Sequence, residues 1–107
     1  MFTDIQGYTA LMQDNEAAAV KLRDRHREIM RIYHKKHAGK IVQYYGDGSL
    51  SIFNSCVEAV KCAVSIQKEL QASDPQVPLR VGIHLGDIIE RDDDIIGNGV
   101  NMASRVE

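Results

Sequence analysis

Apolar and polar positions change period several times along this chain, and each change marks an element. Met1 to Ile5 reads as a strand already under way, and Gln6-Gly7-Tyr8-Thr9 as a turn leading into a short helix through Leu11 and Met12. Asp14 can cap a second helix, with Glu16 in its first turn. Val20, Leu22, Ile29, Met30 and Tyr33 then recur with a loose helical period, and His26 can sit among them. Gly39, after basic Lys35, Lys36 and His37, reads as the helix stop. Lys40–Tyr45 and Ser49–Phe53 are β-prone runs joined by Gly46-Asp47-Gly48, a hairpin signal. Ser55 can cap a third helix, with Val57, Val60, Ala63, Val64 and Leu70 expected on one core-facing side. Pro75 and Pro78 bracket its exit. Leu79 to Ile89 is expected to be a strand with Val81, Ile83 and Leu85 on one face, followed by an acidic loop. Gly97-Asn98-Gly99 opens a last helical pattern that reaches Glu107 with no stop signal.

The order is therefore strand, helix pair, hairpin, helix, strand. That is the split β-α-β order of an α+β, ferredoxin-like fold: an antiparallel sheet with helices packed on one face. A length of 107 residues suits one domain. The strand under way at one end and the unclosed helix at the other make the chain read as part of a larger domain.

Hydrophobic residues are 44% and charged residues 26%, a globular balance. The net charge of −2 argues against a chain built mainly to hold nucleic acid. The longest apolar run, Ala17 to Val20, is far too short for a membrane span. Cys56 and Cys62 are six apart in one expected helix, which separates their Cα atoms by roughly 9 Å, beyond disulfide reach. A reducing compartment fits best, and a cytoplasmic location is the expectation. Residues 21–40 hold eight Lys or Arg against Asp24 and Glu28, read as a solvated helix face. Of His26, His34 and His37, the last two have a spacing that shares a face. No further ligand pattern accompanies them, so zinc is not expected.

The chemistry concentrates on two carboxylates. Asp4 ends the first strand and Asp47 sits at the hairpin tip, and a ferredoxin-like sheet makes those elements neighbours. Two carboxylates meeting at a sheet end suit Mg²⁺, which completes its shell with water and phosphate oxygens. A turn former and a strand-end residue would occupy the same places with no such role. Gly7 permits a tight turn whose following amides, near Gln6 to Thr9, could hold phosphate.

Phe2-Thr3-Asp4-Ile5-Gln6-Gly7-Tyr8-Thr9 resembles the first metal-binding motif of the class III adenylate and guanylate cyclase catalytic domain. Tyr45 to Phe53 resembles the second, Arg80 to Gly86 the following strand, and Gly97 to Glu107 the helix carrying transition-state residues. The resemblance implies that residues 1–107 are such a domain lacking its C-terminal part. It would be active as a head-to-tail homodimer, with sensor or regulatory domains elsewhere in the parent protein. It also implies that Asp4, Asp47 and the Ile5 carbonyl hold two Mg²⁺ or Mn²⁺ ions. Arg80 would contact the triphosphate, with Gly7, Tyr8 and Thr9 lining it. From the partner chain, Asn101 would orient the ribose and Arg105 would neutralise charge on the α-phosphate.

The base-reading positions fall on Gln43 and Asp94. ATP-using members carry a lysine and GTP-using members a glutamate where Gln43 stands. Asp94 matches the ATP-using pattern and can accept from the adenine amino group, whereas the Gln43 amide both donates and accepts. The expectation is conversion of ATP to cyclic AMP and pyrophosphate. GTP as substrate and a cyclase-like dimerisation module without turnover remain open alternatives. A diguanylate cyclase is disfavoured, since that chemistry does not call for the Asn101–Arg105 pair.

Overall fold

The computed structural model describes residues 1–86 and the backbone of 89–91 and 94–96. Its elements run β1 (Phe2–Ile5), α1 (Tyr8–Asp14), α2 (Glu16–Lys36), β2 (Lys40–Tyr44), β3 (Gly48–Ile52), α3 (Cys56–Gln71), β4 (Leu79–Gly82), β5 (Ile89–Arg91) and β6 (Asp94–Ile96). Four strands form one antiparallel sheet in the order β2-β3-β1-β4, the ferredoxin-like order expected from the sequence. Ile5, Leu79, Val77 and the inward residues of α2 and α3 make one core, among them Leu22, Ile29, Met30, Cys62, Ile66 and Leu70. Phe2 and Leu50 form a smaller apolar patch with Val42. No described helix is long and apolar enough to cross a membrane.

Several local expectations are corrected. The cap of α2 is Asn15, whose side chain accepts from the Ala18 amide at 3.1 Å, because Asp14 still belongs to α1. At the other end of α2 the left-handed residue is Ala38, with φ of 55°, and not Gly39. Gly39 is small for a different reason: a Cβ there would run into the Phe53 ring and His34. Ser55 caps α3 as expected, accepting from the Glu58 amide at 3.2 Å.

The inward face of α3 is not the valine face. Ala59, Cys62, Ile66 and Leu70 are buried, whereas Val57, Val60 and Val64 are 61%, 47% and 47% exposed. Both stripes have helical spacing, so period alone does not choose between them. The buried stripe stays apolar to the end of the helix, while the valine stripe runs on into Lys68 and Gln71.

The fourth strand ends at Gly82, where its ladder with β1 ends at Phe2. Leu85, expected on one strand face with Val81 and Ile83, lies beyond the strand and is 68% exposed, whereas Val81 and Ile83 pack against the core. The expected acidic loop includes a strand residue: Asp94 begins β6, which pairs with β5 as a separate two-stranded sheet. The last helix, with Gly97, Asn101 and Arg105, lies outside the described residues.

Candidate active site

Paired residues of antiparallel strands share a face, and this sorts the site. Thr3 and Ile5 of β1, Ser49 and Ser51 of β3, and Leu79 and Val81 of β4 face the helices. Asp4 and Arg80, directly opposite one another, lie on the other face. Gln43 pairs with Leu50 after a register irregularity between Ile41 and Gln43. That irregularity places Gln43, exposed, on the same face as Asp4 and Arg80.

The hairpin tip is tied to β1 by backbone. The Ile5 amide donates to the Asp47 carbonyl at 2.8 Å, and Asp4 pairs with Gly48. Asp4 and Asp47 thus stand at one end of neighbouring strands, both partly buried. Gly48 makes this approach possible, since a Cβ on it would collide with the Thr3 carbonyl oxygen. Gly46 has open space around its Cβ position, and Gly7 is the only glycine with positive φ among the described residues. The hairpin signal is real, but its Asp-Gly pair does not form the primed turn that usually underlies it.

Arg80 occupies Asp4. Its Nε donates to Oδ1 and its Nη2 to Oδ2, each at 2.8 Å, a bidentate fork. The Asp4 side chain is 19% exposed and the Arg80 side chain 50%. This pairing escaped the sequence reading, although pairing the first and fourth strands in register would have found it.

Gly7, at φ of 76°, starts α1 with no side-chain cap, so the first-turn amides have no such partner. Thr9 is exposed, but the Tyr8 ring is buried in the core, which leaves only the Tyr8 backbone for a ligand. Asp94 is described only as a backbone position in β6. Asn101 and Arg105 lie outside the described residues.

Behind the site, two histidines of α2 face the sheet. His26 Nε2 lies 2.9 Å from Thr3 Oγ1, which is 2.6 Å from Ser49 Oγ. His34 Nε2 lies 2.8 Å from Ser51 Oγ, and its Nδ1 is 2.8 Å from the Met30 carbonyl oxygen. Burial pushes both imidazoles down to about 4; the nearby Arg27 charge adds to the effect on His26. His34 and His37, expected on one face, both reach α3: His37 Nδ1 lies 2.7 Å from Glu58 Oε2, and His34 Nδ1 lies 3.8 Å from Cys62 Sγ, one helical turn further along. Arg27, beside His26, donates from Nη2 to the Tyr45 carbonyl at 2.9 Å and stacks over the Tyr44 ring. Both cysteines are unpaired; Cys62 is buried, which pushes its thiol up to about 11.

The whole chain, residues 1–107, matches the family described as the adenylate and guanylate cyclase catalytic domain. A Rhizobium meliloti (strain 1021) protein carrying the name "Putative adenylate cyclase 3" is 38% identical over 97% of this chain, which spans 19% of that relative's length. Among solved structures, the adenylate/guanylate cyclase/hydrolase from Silicibacter pomeroyi superposes with a TM-score of 0.85 at 34% identity, covering 98% of this chain and 65% of that one. The adenylyl cyclase CyaB from P. aeruginosa gives a TM-score of 0.81 at 26% identity, covering 98% and 67%.

Proposed function

Because the chain belongs to the adenylate and guanylate cyclase catalytic domain family, we propose that residues 1–107 are the larger part of a catalytic domain converting ATP to 3′,5′-cyclic AMP and pyrophosphate. The observation that carries the reading is the placement of Asp4 and Asp47 at the same end of two neighbouring strands, held by the Ile5–Asp47 backbone bond. Two partly buried carboxylates and the Ile5 carbonyl form an oxygen-only donor set, the kind that Mg²⁺ or Mn²⁺ takes. Bound there, two such ions supply a lowered pKa for the ribose 3′-hydroxyl and charge stabilisation for the leaving pyrophosphate.

The residues do the rest. Asp4 and Asp47 fix the reacting end of the nucleotide at the end of the two central strands. Arg80, already at Asp4, contacts the triphosphate, and the amides after Gly7 add donors to it. The 3′-hydroxyl gives up its proton to solvent water, and its oxygen attacks the α-phosphorus as the bond to pyrophosphate breaks. In a head-to-tail homodimer Asn101 and Arg105 come from the second copy; their four-residue spacing shares one face of a helix. Asn101 orients the ribose, and Arg105 neutralises charge growing on the α-phosphate.

Asp94 favours adenine, and the relatives named as adenylate cyclases support the same choice. A second reading, GTP, is favoured by one feature: the exposed Gln43 can donate or accept, so it does not exclude guanine. Incubating the whole protein with Mn²⁺ and either ATP or GTP, with products identified by mass, tests both. Cyclic AMP as the main product is expected. Cyclic GMP in excess would overturn the role of Asp94, and no cyclic nucleotide from either would overturn the enzyme.

A further inference from the structure

We propose that His26 is a positioning residue for the carboxylate pair: acting through Thr3 and Ser49, it holds β1 and β3 in the register that brings Asp4 and Asp47 together. The inference rests on the reading of Asp4 and Asp47 as the pair that holds the metal ions.

Thr3 and Ser49 are direct register partners, and their hydroxyls meet at 2.6 Å. Thr3 immediately precedes Asp4, and Ser49 follows Asp47 by two residues. His26 reaches Thr3 Oγ1 from α2, so one chain of polar atoms links a helix to both carboxylate-bearing strands. All three residues are buried, at 1%, 2% and 0% exposure. Apolar contacts across a sheet tolerate sliding, but buried hydrogen bonds are directional, and each group left unpaired there is costly. The register matters because a slip of one residue would turn Asp4 from the open face to the helix face. The imidazole is neutral near pH 7, so one ring nitrogen donates and the other accepts.

His34 supplies the control. It makes the same kind of contact to β3, but at Ser51, two residues further from Asp47.

The test uses the whole protein and two readouts: Mn²⁺ alone, titrated by the paramagnetic resonance of the free ion, and cyclic nucleotide production. His26→Leu and Thr3→Val should each raise the Mn²⁺ midpoint and lower kcat by about tenfold, while the nucleotide KM at saturating Mn²⁺ stays within about twofold. The double variant should be no worse than the worse single, since both cut one chain. His26→Gln, whose amide can replace Nε2, should recover most of the loss, and His34→Leu should leave the Mn²⁺ midpoint within about twofold. Thermal unfolding identifies any variant that does not fold, and Thr3→Val, nearly isosteric, keeps the test alive if His26→Leu does not. If Asp4→Asn weakens Mn²⁺ binding but folded His26→Leu and Thr3→Val do not, the positioning role is overturned alone. If Asp4→Asn and Asp47→Asn leave Mn²⁺ binding unchanged, the metal reading falls and this inference with it.

Discussion

Arg80 and Asp4 face each other across the β1–β4 ladder, and the guanidinium covers both carboxylate oxygens with parallel hydrogen bonds of 2.8 Å. The residue proposed to meet the triphosphate therefore already holds a residue proposed to meet the metal. The fork takes one lone-pair site on each oxygen and sets a positive charge against the carboxylate, so Arg80 and a cation compete electrostatically for Asp4.

Arg80→Ala should consequently lower the Mn²⁺ concentration needed for half-saturation in the absence of nucleotide, by a few-fold. The same change should raise the nucleotide KM by about 10–100-fold, because a charge-assisted bidentate contact is lost. A Mn²⁺ titration beside steady-state kinetics measures both. A weaker Mn²⁺ site in the variant would show that Arg80 supports metal binding.

The proposed sharing of one site between two copies can be tested by mixing. Asp47→Asn and Arg105→Ala should each be nearly inactive alone, a loss of several kcal/mol in transition-state stabilisation. Co-refolded at equal ratio, about half of the dimers are mixed and each has one intact site of two, so activity should return to roughly a quarter of the parent. No recovery, with mixed dimers shown to form, would place the two residues in separate sites.

The two hairpin glycines should behave differently. A Cβ at position 48 meets the Thr3 carbonyl oxygen, which is backbone and cannot swing away, whereas position 46 has nothing within 4 Å. Gly48→Ala should lower stability by about 1–3 kcal/mol, and Gly46→Ala by less than about 0.5 kcal/mol. Equal denaturation midpoints would contradict the close approach of β1 and β3.

Acid should loosen the fold through the two buried histidines. Both have folded values pushed down to about 4 by burial, against 6.5 in the unfolded chain. Between those values the unfolded chain binds more protons, so the stabilisation is complete above pH 6.5 and is lost as pH falls toward 4. The loss is on the order of 2–3 kcal/mol for each histidine. Unfolding midpoints at pH 7 and 5 measure it, and replacing both with Leu should flatten the profile. A wild-type midpoint unchanged by acid would count against burial of neutral rings.

Element order was written in local chemistry. Hairpin residues 46–48, the Ser55 cap and the switch between period 2 and helical period each act over a few residues, so strand, helix pair, hairpin, helix and strand follow from the sequence, and so does the neighbourhood of Asp4 and Asp47. Local patterns could not choose between faces. On β3, alternation alone would turn Leu50 and Ile52 inward, yet Ser49 and Ser51 are the residues against the helices, at 0% exposure. They can be there because His26 and His34, far away in sequence, arrive to satisfy them. The valine stripe of α3 and the Arg80–Asp4 fork have the same origin. Burial and pairing depend on what a distant segment offers, and only the folded chain brings those segments together. The sequence by itself named the residues proposed to carry the chemistry; the tertiary structure decided which of the described ones face one another, because pairing depends on segments far apart in the chain.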